Sequence, residues 1–198
     1  TNPVSRLFFP TFNRICNMTQ EIEGTRAGIS PEIDRAEFLL SMRNVPGTIA
    51  IIAAADGDDR TGMAATAWNS LCADPPMLLV CVNRNASAHS LIERTRKFSV
   101  NVVPSDAQET VAIFSAQRGL NGRDRFLDGH WSIGSTGQPL LNCAIAAFEC
   151  DLDAGHAYGT HSVFVGRIRS IQRREDVEAL MYVNGTFARA EGTPAFGI

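Results

Sequence analysis

The chain reads as a mainly β protein with helices, a β-barrel carrying helical decoration. Three observations predict this. Apolar and β-branched runs of strand length recur, as in Gly47–Ala55, Met77–Val82 and Lys97–Val103. Turn signals, rather than long helical crossovers, separate most of them. Helix-start signals are confined to short stretches near Ser30, Ala86 and Ser105.

Residues 1–29 lack sustained periodicity and carry Pro3, Pro10, Gly24 and Gly28, so they read as an extension preceding a domain over 30–198. Phe8, Phe9 and Phe12 are too apolar for a free tail, which predicts that it wraps on the body or a partner subunit. The first residue is not methionine, which fits a trimmed start. Ser30-Pro31 predicts an N-cap followed by the first helical residue, and Pro46-Gly47 stops that helix. Gly47–Ala55 then predicts a strand, Asp56–Asp59 a turn, and Thr61–Ser70 a second strand of small residues leading into a loop.

Met77–Val82 predicts a buried strand, Ala86–Arg96 a short helix, and Lys97–Val103 a further strand. Ser105 with Gln108 predicts a capping box for a helix to about Ala116. Beyond it the candidate strands are Leu140–Asp153, Ala157–Ile171 and Ala179–Ala190.

The 198 residues are 44% hydrophobic and 20% charged, an ordinary soluble composition for one domain. A formal charge of -3 gives no overall basic character, which argues against nucleic acid as the main partner. No apolar run approaches the roughly 18 residues of a membrane span, and the start lacks the order of a signal peptide. The five cysteines form no CxxC pair, which predicts reduced, structural thiols in a cytoplasmic protein.

Three stretches are candidates for a phosphorylated cofactor. In Gly62–Ser70, small side chains let a flat ligand approach the backbone, with Trp68 beside a ring and Asn69 and Ser70 as hydrogen-bonding groups. The same residues equally suit a tightly packed barrel strand followed by a turn. Val82–His89 joins a strand to a helix start, where free N–H groups attract anions and Arg84, Ser87 and His89 add donors. A capped helix with a solvated arginine is its plainer reading. In Tyr158–Arg167, His161, Val163 and Val165 share one strand face, where a histidine also serves as a core residue.

Other chemistries lack their motifs. There is no HExxH, GxSxG or Walker loop, and no GxGxxG follows a strand. His130, His156 and His161 are not spaced for zinc, and Asp56, Asp58 and Asp59 lack the glutamate of a calcium loop.

Taken in order, PGTIAIIAA, GMAATAWNSLCADPPMLLVCVNRNASAHSLI, KFSVNVV, Arg125-Phe126, GQPLL, FECDL, GTHSVFVGRI and MYVNGTF resemble the flavin reductase-like family. The resemblance covers about Phe38 to Arg189 and implies the FMN-binding split-barrel fold. It implies the reductase component of a two-component flavin-dependent monooxygenase, using FMN or FAD with NADH or NADPH. By that resemblance Gly62, Met63, Ala64, Ala65, Thr66, Ala67, Trp68 and Asn69 would line the isoalloxazine and ribityl chain. Val82, Asn83, Arg84, Ser87 and His89 would hold the ribityl and phosphate end, and Phe114 and Ser115 would close the pocket. His161 would stand near the nicotinamide as the candidate catalytic residue, with Asn184, Gly185 and Thr186 contacting its nucleotide.

The sequence departs from the family at Thr160, often aspartate, at Cys72, often serine, and at Phe187, often tyrosine. The implied partners are a second copy of the chain and an oxygenase that receives reduced flavin. The metal-free site leaves two further readings open. One is a protein that holds flavin tightly as a carrier or sensor. The other is a reductase of another acceptor, such as a corrinoid or ferric chelate.

Overall fold

A computed structural model describes residues 33–175 and 178–190. The expected extension 1–29 and Ser30-Pro31 lie outside the described residues. Helix α1 spans Arg35–Arg43 with Asp34, not Ser30, at the N-cap position. It buries none of its own side chains, and Phe38, Leu40 and Met42 are exposed.

Seven antiparallel strands form the main sheet. In chain order they are β2 (Ala50–Asp56), β3 (Asp59–Ala65), β4 (Trp68–Ala73), β5 (Pro76–Asn83), β6 (Lys97–Val102), β9 (Ala146–Tyr158) and β10 (His161–Arg173). Their spatial order is β3-β2-β6-β9-β10-β5-β4. The expected strand Thr61–Ser70 is therefore two strands at opposite edges of the sheet, joined by the corner Thr66-Ala67. The corner turns the chain sharply, and Trp68 N donates to Thr66 O at 3.1 Å. The curled sheet brings its first and last positions together there, which makes the barrel split.

Strand β2 shows why an all-apolar run was needed. Ala50, Ile52 and Ala54 face one core with Val80, Phe98 and Phe164, while Ile51 and Ala53 face a second with Val111, Phe114 and Phe126. A strand covered on both faces has no polar alternation. β5, by contrast, alternates, sending Leu78, Val80 and Val82 inward. Burial pushes the Cys150 thiol up to about 12, so this core cysteine is inert.

Helix α2 (Ser87–Thr95) buries Ala88, His89, Leu91 and Ile92 against the barrel. Helix α3 (Gln108–Phe114) has Ala107 at its N-cap position, so Ser105 makes no capping box. Ser105 N instead donates to Glu178 O at 2.9 Å, tying the chain to a distant segment.

Two small sheets complete the fold. β1 (Gly47–Thr48), β11 (Leu180–Val183) and β12 (Thr186–Arg189) form one, in the order β1-β11-β12. The expected strand Ala179–Ala190 is thus a hairpin through Asn184-Gly185, both at positive φ (49° and 81°), as a type I′ turn requires. β7 (Trp131–Ile133) and β8 (Pro139–Leu141) form the other, a hairpin the sequence reading did not separate. Likewise Ala157–Ile171 is not one strand but the end of β9, the turn Gly159-Thr160, and β10.

The β7–β8 turn is pinned to the barrel by Glu149 of β9. Its carboxylate accepts from Ser135 N and Oγ, both at 2.9 Å, and from Thr136 N and Oγ1 at 2.7 and 2.6 Å. Burial pushes its pKa up, but these four bonds outweigh burial and hold it below the ordinary carboxylate value.

Candidate flavin and nicotinamide site

The site grows from the edge strand β3. An edge strand leaves one row of backbone N–H and C=O groups without a ladder partner, which suits the polar rim of a flat ring. Gly62 carries no side chain because a Cβ would lie 2.8 Å from Ile52 O and 2.9 Å from Phe114 Cε1. Its carbonyl accepts from Arg125 Nη1 at 2.8 Å, so the strand is braced from behind. Phe114, Phe126 and Trp131 form the aromatic backing, with ring centroids 4.9–5.2 Å apart.

A cleft of about 240 Å³ opens in front, lined by Ile49, Ala64, Ala65, Thr66, Val111, Ser115, Gln117, Tyr182 and Phe187. It brings together the expected Ala64, Ala65, Thr66 and Ser115. Phe114 stands behind the strand as core, and Met63 and Trp68 pack against the barrel interior. Trp68 Nε1 donates to Thr48 O at 2.9 Å, and Asn69 Oδ1 accepts from Ser70 N at 2.9 Å. The side chains of Met63, Trp68 and Asn69 are thus engaged within the protein, and the stretch meets the cleft through Ala64, Ala65 and Thr66.

The second stretch is tied to the first. Thr61 Oγ1 and Ser87 Oγ lie 2.6 Å apart, fixing the start of α2 against β3. Asn83 Oδ1 accepts from Asn85 N at 2.9 Å and shapes the loop. Val82 is fully buried in the barrel core. His89 is not a loop donor: it is 7% exposed, its Nε2 lies 2.8 Å from Ser162 Oγ, and its ring packs on Phe164. Arg84 remains at the surface, lining a groove with Asn85, Gly159 and Thr160.

The third stretch meets the second there. His161 pairs with Asn83 across the β5–β10 ladder, and Arg84 N donates to Thr160 O at 3.0 Å. His161 is exposed at the start of β10, with Thr160 Oγ1 2.9 Å from its Nδ1. It is not a core histidine.

Asn184, Gly185 and Thr186 form the tip of the β11–β12 hairpin, anchored by Asn184 N donating to Arg43 O at 2.6 Å. His161 and this tip lie on different sheets, and neither described cavity holds both. The sequence reading missed the paired aromatics Tyr182 and Phe187 as cleft lining. The Asn-Gly turn was the signal that would have placed them opposite one another.

The split barrel thus sets its β3 edge and the β11–β12 hairpin on either side of one cleft, with the Arg84 loop tied to β3 through Ser87. Residues 42–191 match the flavin reductase like domain family, and the chain belongs to it. It is 35% identical over 175 residues to the reductase component of an FADH(2)-dependent resorcinol hydroxylase from Rhizobium sp. (strain MTP-10005), covering 87% of this chain and 96% of that protein. It is 30% identical over 158 residues to the FMN reductase (NADH) RutF of Stutzerimonas stutzeri (strain A1501), covering 80% and 90%. Among solved structures, BorF, the flavin reductase component of a bacterial two-component tryptophan halogenase, superposes with a TM-score of 0.74 at 27% identity. That match covers 81% of this chain and 100% of BorF.

Proposed function

We propose that this chain is an NAD(P)H:flavin oxidoreductase that reduces FMN or FAD and supplies reduced flavin to a partner oxygenase. The observation that carries the reading is the 240 Å³ cleft, where the β3 edge and Ser115 oppose the Tyr182–Phe187 hairpin. When bound, flavin supplies the hydride acceptor and the nicotinamide cofactor the donor. The residues here fit such a pair. Ala64, Ala65 and Thr66 present backbone groups to one ring, the hairpin aromatics offer a flat surface to a second, and rate follows from stacking the two. Arg84 and the start of α2 balance phosphate charge. His161 orients the nicotinamide and need not exchange a proton.

Residues 30–198 act as the flavin reductase-like unit in this reading, with 1–29 as an extension. The exposed Phe38, Leu40 and Met42 of α1 are covered by a second copy in a homodimer, which light scattering on the eluted protein tests. Among the described residues no helix is long and apolar enough to cross a membrane, and we place the protein in the cytoplasm.

The deciding experiment is stopped-flow oxidation of NADH and NADPH with and without added FMN or FAD. Turnover that needs added free flavin supports the reading. Flavin that co-purifies and survives dialysis, with no dependence on added flavin, favours a tight carrier instead.

A further inference from the structure

We propose that His89 is a positioning residue for flavin reduction: through Ser162 it holds the strand that carries His161 at a fixed spacing from the flavin-facing strand β3. The role rests on the flavin reductase reading and on the part given there to His161; the bonds themselves do not. In the main sheet β3 and β10 are far apart, with β2, β6 and β9 between them. The first turn of α2 joins them directly. At its start Ser87 Oγ lies 2.6 Å from Thr61 Oγ1 of β3, and two residues on His89 Nε2 lies 2.8 Å from Ser162 Oγ of β10. Ser162 is the neighbour of His161 in the chain.

These contacts are polar where their surroundings are apolar. Thr61, His89 and Ser162 are 5%, 7% and 3% exposed, and α2 otherwise enters the barrel with Ala88, Leu91 and Ile92. Apolar burial is non-directional, so it draws the helix in without setting its rotation. Side chains two residues apart on a helix point about 200° apart, so the two bonds grip α2 from opposite sides and do set it.

The His89 ring is held from two further directions. Phe164 of β10 packs on it with ring centroids 5.0 Å apart, and Glu93, one turn on, places Oε2 3.5 Å from Nδ1. Serine, histidine and glutamate stand here in the order of a hydrolytic triad, but a hydroxyl buried as Ser162 is meets no substrate. The arrangement positions and does not react. When the His89–Ser162 bond is cut, the Thr61–Ser87 bond remains, so flavin keeps its strand while the strand of His161 drifts.

The test is stopped-flow reduction of flavin by NADH in the full chain, with Ser162→Ala, His89→Leu and the double variant beside wild type. Ser162→Ala deletes one hydroxyl and decides alone should His89→Leu fail to fold, which circular dichroism reads. Each variant is expected to lower the limiting rate about tenfold while the Kd for flavin stays within about twofold. The double variant is expected to be no slower than His89→Leu, because both cut the same bond. His89→Gln, whose amide reaches where Nε2 stood, is expected to recover most of the rate.

A role in packing alone lowers stability and leaves the limiting rate of the folded variants unchanged, and that result overturns the proposal. Losses that multiply in the double variant overturn it as well, as does glutamine no better than leucine. A normal rate in Ser162→Ala beside a slow His161→Ala overturns the bridge alone; normal rates in both remove the part given to His161 with it. A wild-type chain that reduces no flavin sinks the reductase reading and takes the proposal with it.

Discussion

The two walls of the central cleft are built differently. The β3 wall belongs to the barrel, backed by Phe114, Phe126 and Trp131 and braced by Arg125 at Gly62. The opposite wall is a two-stranded hairpin whose Tyr182 and Phe187 stay 45% and 41% exposed. Its inner strand joins the barrel through the β1 ladder and through Ile49 N to Leu180 O and Leu180 N to Val103 O, both 2.9 Å, while its outer strand β12 is an edge. A wall fixed from behind can hold a ring in one place, while a hairpin whose aromatics face solvent can admit and release a second. The contrast matches a reaction in which position matters for one partner and turnover for the other.

Truncating an aromatic on each wall is the sharpest way to break this contrast. Phe114→Ala empties a core site and should cost about 3–5 kcal/mol of unfolding free energy in a denaturant titration. A loss below about 1 kcal/mol would show that the β3 wall is no more packed than the hairpin. Gly62→Ala forces a methyl against Ile52 O and Phe114, and should cost about 1–3 kcal/mol and raise the KM for flavin. His161→Ala removes an exposed ring and should leave stability and flavin affinity nearly unchanged while slowing flavin reduction by NADH about tenfold. Unaltered turnover in that variant ends the role assigned to it.

Tyr182→Ala loses one member of an aromatic pair with centroids 6.2 Å apart. The expected result is a KM for NADH raised about two- to ten-fold with flavin affinity intact, the reverse of the Gly62 outcome. The smallest effect is on acid stability. Folding lowers the pKa of Glu149, so its contribution is complete above the ordinary carboxylate range and fades as pH falls through the lower folded value. The stability gap between wild type and Glu149→Gln should therefore shrink in acid and stay constant near neutrality. A gap independent of pH would remove Glu149 from the account of the β7–β8 pin.

The barrel was legible in the sequence where strands carry long apolar runs, as at Ala50–Ala55 and Met77–Val82. What stayed hidden depends on where a run breaks. Thr61–Ser70 reads as one strand because nothing at Thr66-Ala67 resembles a turn; the break follows from sheet closure, a property of the whole barrel. The hairpin at Asn184-Gly185 carried its own signal and was readable. His89 was readable too, since helical spacing puts it on the face of α2 with Ile92. The Glu149 pin was not, because its donors lie 13 and 14 residues away across a turn.

The corner Thr66-Ala67 has one more consequence. It makes β3 and β4 neighbours in sequence while each keeps one side free of ladder bonds. Backbone amides on those sides should trade hydrogen for deuterium early, through local opening that spares the rest of the barrel. Bound ligand that spans the gap would slow that exchange by mass action, worth about 2.7 kcal/mol at a hundredfold excess over Kd. The same two strands would then record occupancy of the cleft, amide by amide, without any need to follow turnover.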